Sequence, residues 1–206
     1  PQSTENPDLD RERLFYTKEA GEKIDAIRAY IAKKYENDKP LTHIQKLEKN
    51  LLLALLLYES ATRANTSGVF KAFHRGFGGS GKDALSRIMK PLKLPKPILW
   101  DNDQKHKVFC SDANRLVKKL ASIKEIDVSY VDPPYNQHQY GSNYHLLNTI
   151  ALNDKPEINQ HFLINGKKID KAAIRKDWVK TKSNYCYKES ALKSFKELIN
   201  NLNADH

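Results

Sequence analysis

The residues of this chain best suited to chemistry form one short stretch, Asp132-Pro133-Pro134-Tyr135, directly after the apolar run 126–131. Asp132 is an ionised hydrogen-bond acceptor at neutral pH. The two prolines have no N–H group and a restricted φ, so their carbonyl groups point in set directions. The stretch therefore predicts a rigid corner that is rich in acceptors and almost without donors, with the flat ring of Tyr135 beside it.

Such a corner suits a planar amine that carries donors, as the exocyclic amine of a nucleobase does. That nitrogen is a poor nucleophile because its lone pair is delocalised into the ring. Hydrogen bonds to Asp132 and to the Pro133 carbonyl would favour a pyramidal nitrogen that can attack a methyl group held in line. The ring would stack on Tyr135, after the base has been flipped from the duplex at a cost of roughly a few kcal/mol.

The simpler interpretation is a Pro-Pro turn that merely ends a strand, with Asp132 as a cap and Tyr135 packed against the protein. The complete Asp-Pro-Pro-Tyr stretch, after an apolar run and in a basic chain, favours catalysis over this alternative.

The elements that must position this corner predict an α/β fold. Two short apolar segments, 107–110 and 126–131, are typical of buried strands, and the segment 111–123 between them predicts a crossover helix. Strand, helix and strand in this order imply parallel strands. Ligands of an open parallel sheet bind beyond the carboxyl ends of its strands, and Asp132 falls at such an end.

Helices are predicted on either side of these strands. Thr17 can cap a helix with apolar residues at helical spacing up to Tyr35, and a second helix over about 42–60 is apolar nearly all round. Residues 142–152 and the C-terminal stretch 189–202 also have helical periodicity. We expect residues 1–13 to be a flexible N-terminal segment and 14–206 to form one catalytic segment, with basic loops over 63–98 and 153–183.

The composition favours an anionic partner. The 206 residues carry a formal net charge of +10, and nucleic acid is the commonest partner of such a chain, although a basic protein without such a ligand has the same charge. Cys110 and Cys186 lie far apart without metal-ligand neighbours, which argues for a reducing compartment and against a disulfide framework or a metal site. The leucine run 51–57 is too short to span a bilayer and the N-terminus has no signal core, so we predict a cytoplasmic protein without a membrane partner.

A glycine-rich stretch, 76–82, partly fits two phosphate or cofactor motifs. Asp83 stands where a phosphate-binding loop has its magnesium-binding hydroxyl, and a carboxylate there would repel phosphates. The pattern F-x-G-x-G over 77–81 lacks the preceding apolar strand that a cofactor turn requires. We interpret the stretch as a basic loop that reaches the backbone of a partner.

The chain resembles the Dam-like adenine methyltransferases of bacterial restriction–modification systems, which share the Asp-Pro-Pro-Tyr block after an apolar strand. The similarity extends from about Leu14 to the end, through the blocks 64–73, 110–116, 136–151 and 185–199. The resemblance implies a partial Rossmann-like methyltransferase sheet with flanking helices and a basic, DNA-contacting insertion. It also implies adenine in duplex DNA as the substrate and S-adenosylmethionine as the methyl donor.

The resemblance assigns catalysis and base stacking to Asp132, Pro133, Pro134 and Tyr135. Asp112 would bind the adenine amine of the cofactor, although a helix N-cap is an equally natural role for it. Asp132 and Tyr140 complete the expected cofactor-binding set, with core packing as the alternative for Tyr140. Nine basic residues are candidates for contacts with DNA phosphates, each of them equally interpretable as a solvated charge: Arg63, Lys71, His74, Arg75, Lys82, Lys167, Lys168, Arg175 and Lys176.

The chain departs from the family pattern at its start. In that family a cofactor turn and an acidic residue that binds ribose precede the first helix predicted here, whereas this chain begins after that point. It resembles the middle of a methyltransferase, from a truncated gene or a split enzyme, and we expect a further polypeptide to supply the cofactor turn. A cognate restriction endonuclease is another expected partner.

Three functional hypotheses follow. The first is a site-specific DNA adenine methyltransferase. The second is a methyltransferase that acts on the amines of RNA or cytosine. The third is a remnant that binds nucleic acid without catalysis. The bases of the recognition site are not predicted, because specificity rests on contacts between loops and base edges.

Overall fold

The computed structural model describes residues 2–37, 39–100, 102–121, 126–158, 163–164, 167–168 and 172–202. These residues group into two compact units. Unit 1 consists of Pro1–Ile98 and Gly141–Val179, and unit 2 consists of Leu99–Tyr140 and Lys180–His206. The predicted division into a flexible segment 1–13 and one catalytic segment 14–206 stays a prediction.

The described residues are mainly helical. In chain order the α-helices are α1 (Lys18–Tyr35), α2 (His43–Arg63), α3 (Leu85–Ile88), α4 (Ala113–Ala121), α5 (Tyr140–Asn143), α6 (His145–Leu152) and α7 (Lys188–Asn201). Two 3₁₀ helices, Lys176–Thr181 and Asn184–Cys186, precede α7. The predicted helices over 17–35, 42–60 and 189–202 are therefore confirmed, with shifted ends. The helix predicted over 111–123 is confirmed up to Ala121, and its last two residues lie outside the described residues. The helix predicted over 142–152 is divided into α5 and α6 at Tyr144. No helix among the described residues is long and apolar enough to cross a membrane.

Local capping signals explain where α1 and α2 begin. The Thr17 hydroxyl accepts a hydrogen bond from the Ala20 N–H at 3.1 Å. Thr42 and Gln45 form a reciprocal capping box, in which each side chain accepts a hydrogen bond from the backbone N–H of the other residue. Such bonds satisfy N–H groups that have no partner inside the helix. The two threonines therefore determine where both helices of the unit 1 core begin.

The core of unit 1 lies where α1 and α2 pack together with the segments around Phe15 and Phe70. Ile31, Leu56 and Phe70 are fully or almost fully buried there. The Phe15 ring contacts the rings of Phe70 and Phe73, with centroid distances of 5.8 Å and 5.2 Å. One side of α2 remains exposed among the described residues, although its sequence is apolar nearly all round.

The predicted parallel sheet is not confirmed. Among the described residues the only strands are β1 (Leu163–Ile164) and β2 (Lys167–Lys168), which pair antiparallel. Segment 107–110 forms no strand, and in 126–131 only Ile126 forms an isolated bridge. Val108 and Tyr130, expected to be buried, are 96% and 90% exposed. A strand needs a neighbour to pair its backbone groups, and the described residues supply none for these segments.

Buried Arg28 connects three helices of unit 1. Its Nε donates to the Ile150 carbonyl at 2.7 Å, and its Nη2 donates to both carboxylate oxygens of Glu36 at 2.8 and 2.9 Å. Lys49 on α2 pairs with the same carboxylate at 2.9 Å. Burial by itself would raise the pKa of Glu36, but the hydrogen bonds from Arg28 and Lys49 outweigh it and lower this pKa below its usual value.

This lowered pKa predicts the pH dependence of unit 1 stability. A carboxyl group with a lower pKa in the folded state stabilises the fold above its unfolded pKa of about 4.3, and this stabilisation is lost as the pH falls through the folded value. We expect Glu36→Gln to lower the melting temperature near neutral pH and to flatten the loss of stability below about pH 5. Thermal melts across this range measure both effects.

The control for this prediction is Glu22→Gln, which neutralises an exposed carboxylate on α1. The control is expected to melt with the same pH dependence as the unaltered protein. Parallel curves for the Glu36→Gln variant and the control would contradict the role of the Arg28–Glu36–Lys49 cluster.

Candidate functional site

Asp112 lies at the start of α4 in unit 2. Its Oδ1 accepts a hydrogen bond from the Arg115 N–H at 3.0 Å, and its backbone carbonyl accepts one from Leu116 at 3.0 Å. Asp112 thus has the capping role that the sequence offered as an alternative. Its other carboxylate oxygen has no hydrogen bond among the described residues, so capping leaves one acceptor for a ligand.

A cavity of about 760 Å³ in unit 2 brings Asp112 together with the corner at Asp132. This volume is in the range of small-molecule sites. Residues from four segments line the cavity: the start of α4 from Cys110, the residues from Ser129 to Pro134, the segment from Lys180 to Tyr185, and Leu198 with Leu202 at the end of α7. Asp112, Asp132, Pro133 and Pro134, which the sequence proposed as site residues, therefore face the same space.

Two proposed site residues do not line this cavity. Tyr135 is 84% exposed, and Tyr140 is half exposed at the start of α5. The Tyr135 ring is open to solvent beside the corner rather than packed in the protein core. This position leaves its flat face accessible to a ligand.

The loop after Tyr135 is tied to the third lining segment by the side chain of Gln139. Its Nε2 donates to the Ser183 carbonyl at 3.1 Å, and the Ser183 N–H donates to its Oε1 at 2.7 Å. The Cys186 thiol also donates to the His138 carbonyl at 3.5 Å. These three bonds hold residues 138–139 against 183–186.

Tyr185 forms part of the cavity wall, and hydrogen bonds of its hydroxyl group hold it in place. Its hydroxyl donates to Asn114 Oδ1 at 2.7 Å and lies 3.3 Å from the Ser194 carbonyl, to which Asn114 Nδ2 also donates at 2.9 Å. Burial, followed by the negative charges of Asp112 and Glu197, raises the pKa of Tyr185. A neutral, donating hydroxyl at physiological pH keeps these anchors in place.

Gln139, Ser183 and Tyr185 were not among the site residues predicted from the sequence. Gln139 and Tyr185 lie in blocks that carried the family resemblance, whereas Ser183 lies in the predicted basic loop 153–183. Membership of those blocks, and not composition or spacing, was the available signal for Gln139 and Tyr185. Their roles depend on contacts between distant parts of the chain, which periodicity and charge do not reveal.

The nine basic candidates fall into distinct classes in unit 1. Arg175 is 4% exposed and pairs with Asp154 and Asp177, both at 2.6 Å. Arg63 is held by Glu59 at 2.9 Å, and exposed Lys176 pairs with Glu157 at 3.0 Å. Because of this pairing, we interpret Arg175 and Arg63 as residues that stabilise the fold rather than as contacts with DNA phosphates.

The other basic candidates are better placed for phosphates. Four of them are partly or fully exposed and have no ion-pair partner in the described part of unit 1: Lys71, His74, Arg75 and Lys82. Lys167 and Lys168 form β2, but their side chains lie outside the described part of the structure.

Fully buried Asn65 holds the glycine-rich stretch in place. Its Nδ2 donates to the carbonyls of Leu14 and His74 at 2.9 and 3.1 Å, and its Oδ1 accepts from the Gly78 N–H at 3.1 Å. Gly78 has φ of +89°, and an added Cβ there would lie 3.0 Å from the Leu85 side chain. The stretch is thus a turn built onto the unit 1 core, with glycine required at 78.

Comparisons with known proteins identify relatives over nearly the whole chain. The family model for D12 class N6 adenine-specific DNA methyltransferases matches residues 1–202. The type II methyltransferase M.NlaIII of Neisseria lactamica is 36% identical over 188 residues, which are 91% of this chain and 48% of that protein. The type II methyltransferase M.FokI of Planomicrobium okeanokoites is 34% identical over 201 residues, 98% of this chain and 27% of that protein.

A viral relative has similar coverage. The type II methyltransferase M.CviAII of Paramecium bursaria Chlorella virus 1 is 31% identical over 193 residues, 93% of this chain and 49% of that protein. The chain thus spans about a quarter to a half of the length of these relatives. No solved structure matches the chain significantly.

The contacts of Asn65 predict a large effect of an isosteric substitution. Asn65→Asp replaces the donating Nδ2 by an oxygen that faces two carbonyls. We expect a loss of roughly 1–3 kcal/mol in the free energy of unfolding, the usual cost of an unsatisfied buried group. Urea unfolding measures it.

The control for this substitution is Asn50→Asp, at an exposed position on α2. It is expected to change the free energy of unfolding by less than about 0.5 kcal/mol. Equal stability of the two variants would show that Asn65 does not hold the glycine-rich turn.

Proposed function

The chain belongs to the D12 class N6 adenine-specific DNA methyltransferases, and we propose that the protein transfers a methyl group from S-adenosylmethionine to the exocyclic amine of an adenine in duplex DNA. The observation that carries this proposal is the cavity of unit 2, where Asp132, Pro133 and Pro134 meet Asp112. The adenine is flipped out of a short recognition site to reach it.

Asp132 and the Pro133 carbonyl act on the amine directly. Each accepts a hydrogen bond from one amine proton, which draws the nitrogen out of conjugation and directs its lone pair at the methyl donor. As the nitrogen–carbon bond forms, the nitrogen becomes acidic and the Asp132 carboxylate is positioned to take up a proton. Pro134 keeps the corner rigid, and the exposed ring of Tyr135 is available to stack on the flipped base.

The lining of the cavity fits the cofactor. The carboxylate oxygen of Asp112 that does not cap α4 can accept a hydrogen bond from the adenine amine of S-adenosylmethionine. When bound, this cofactor would supply an electrophilic methyl group on a sulfonium, whose sulfur keeps the electron pair of the broken sulfur–methyl bond and leaves as a neutral thioether. We propose Asp112 and Asp132 as cofactor contacts in this cavity. Tyr140, which does not line it, is a candidate contact on the family resemblance alone. We infer that a Rossmann-like sheet, with further strands beside 107–110 and 126–131, completes the fold.

Unit 1 supplies the proposed DNA surface. Lys71, His74, Arg75 and Lys82 are the residues placed to contact phosphates, with Lys167 and Lys168 as further candidates. The corresponding basic stretches, 63–98 and 153–183, form the DNA-contacting region of a catalytic segment over 14–206. Expected partners are duplex DNA and a cognate restriction endonuclease, in the cytoplasm.

A second candidate function is a nucleic-acid-binding module without catalysis. Segments 107–110 and 126–131 form no strand among the described residues, and this favours the second candidate, because a corner that follows an unsupported segment is less rigid. Methyl transfer from the labelled cofactor separates the two candidates.

The enzyme hypothesis predicts a specific effect of Asp132→Asn. The substitution keeps the size of the side chain but replaces the charged acceptor, so methyl transfer should fall about 10²- to 10³-fold. DNA affinity should change little, because phosphate contacts supply most of it. Labelled methyl transfer and a DNA-binding titration measure the two quantities.

Asp127→Asn serves as the matched control, since Asp127 is exposed in the same segment. It should methylate DNA at the normal rate. Undiminished methylation by the Asp132→Asn variant would refute the role of Asp132.

The proposed DNA surface predicts the salt dependence of binding. Replacing Arg75 and Lys82 together by Gln removes two phosphate contacts, so the negative slope of log affinity against log salt should become less steep by about 1.8. Titrations of duplex DNA at several salt concentrations measure this slope.

Lys23→Gln combined with Lys33→Gln makes the same charge change on the exposed side of α1. This control pair should leave the slope nearly unchanged. Equal slopes for both double variants would mean that only net charge matters and that Arg75 and Lys82 contact no phosphate.

A further inference from the structure

The side chain of Gln139 is a buried link between the loop that follows the Asp132 corner and the Lys180–Tyr185 wall of the cavity. Gln139 is 6% exposed, and its amide makes one donating and one accepting bond with the backbone of Ser183. A primary amide bound in this way takes the place of a peptide group in a neighbouring strand. The pair of bonds therefore fixes both the distance and the orientation of residue 183 relative to residue 139.

The two segments that Gln139 joins both belong to the proposed active site. Gln139 ends the loop that follows Asp132–Tyr135, and Ser183 lies in the wall from Lys180 to Tyr185 that lines the same cavity. Ser183 also accepts a hydrogen bond from the Tyr185 N–H through its Oγ at 3.3 Å. Tyr185 is anchored on its other side by Asn114 and Ser194.

These contacts make the wall dependent on Gln139 for its position beside the corner. The anchors of Tyr185 connect the wall to α4 and α7, whereas the bonds of Gln139 connect it to the loop after the corner. The Cys186 thiol adds a weaker bond to the His138 carbonyl. Only an amide fits the Gln139 position fully, because the Ser183 carbonyl needs a donor and the Ser183 N–H needs an acceptor.

We propose that Gln139 is a positioning residue for methyl transfer. It sets the width of the cavity between the Asp132 corner and the wall at 180–185, and so the alignment of the amine with the methyl donor, without touching either ligand. This inference rests on the proposed function. Because misplacement by about 1 Å can cost a hundredfold in rate, loss of the link should act mainly on kcat.

Gln139→Glu tests this proposal through its pH dependence. The ionised carboxylate would face the Ser183 carbonyl without a donor, whereas the protonated carboxyl regains one. Burial raises the pKa of a carboxyl group, so protonation should begin near pH 6–7. We expect kcat to be about tenfold to a hundredfold lower than normal at pH 8 and to recover toward the normal value as the pH falls, with KM for DNA changed less than about threefold.

Gln137→Glu is the matched control, since it introduces the same charge at an exposed position of the same loop. Other titratable groups of the joined segments, namely His138, Lys182, Tyr185 and Cys186, are common to both variants and to the unaltered protein. The ratio of the two kcat values therefore isolates the introduced carboxyl. A third variant, Gln139→Met, removes the bonds without adding charge and should lower kcat at every pH.

The outcomes are distinct. Low kcat at pH 8 with recovery at lower pH for Gln139→Glu, and a pH-independent loss for Gln139→Met, support the proposal. It is overturned if Gln139→Glu matches Gln137→Glu at every pH, if its loss shows no recovery, or if Gln139→Met has normal kcat. These contradicting results reject only the role of Gln139, and not the proposed function, if the unaltered protein methylates DNA and Asp132→Asn abolishes methylation. Absence of methylation by the unaltered protein rejects the proposed function as well.

Discussion

A backbone corner made of an aspartate and two prolines accepts hydrogen bonds and has almost none to donate. Its ligand must bring the donors, and an anionic ligand is repelled by the carboxylate. The cavity of unit 2 strengthens this constraint because it places Asp112 in the same space as Asp132. Two purine amines would supply these donors. The amine of the reacting adenine would bind Asp132, and the adenine amine of the methyl donor would bind Asp112. The proposed chemistry follows from this excess of acceptors.

The contacts around the cavity keep that acceptor-rich space in a fixed shape. Asp112 is oriented by capping α4, and Tyr185 is oriented by its hydroxyl bond to Asn114. The Gln139 amide joins the loop after the corner to the opposite wall. The bonds of Tyr185 and Gln139 join partly buried groups, for which leaving a hydrogen bond unmade costs more free energy than a made bond contributes. Geometry of this kind supports catalysis by positioning rather than by a strongly perturbed pKa.

The sequence predicted the helices because their signals are local. Thr17, Thr42 and Asp112 stand directly before helical periodicity, and each caps the helix that follows. The strands at 107–110 and 126–131 were not found, since a strand requires a distant partner that an apolar run does not identify. Burial also distinguishes Arg175 from Arg75. Both are basic residues in predicted basic loops, but buried Arg175 forms ion pairs with two aspartates. The link through Gln139 depends on a contact across the fold and gave no signal in composition or spacing.

The central claim, that the corner at Asp132 activates the amine of adenine, is tested most directly by finding where a transferred methyl group resides. Duplex DNA is incubated with the protein and S-adenosylmethionine labelled in the methyl group, and the DNA is then digested to nucleosides and separated. The account predicts that the label appears in N6-methyladenine. Label in a cytosine derivative, transfer to RNA in preference to duplex DNA, or no transfer at all would contradict it.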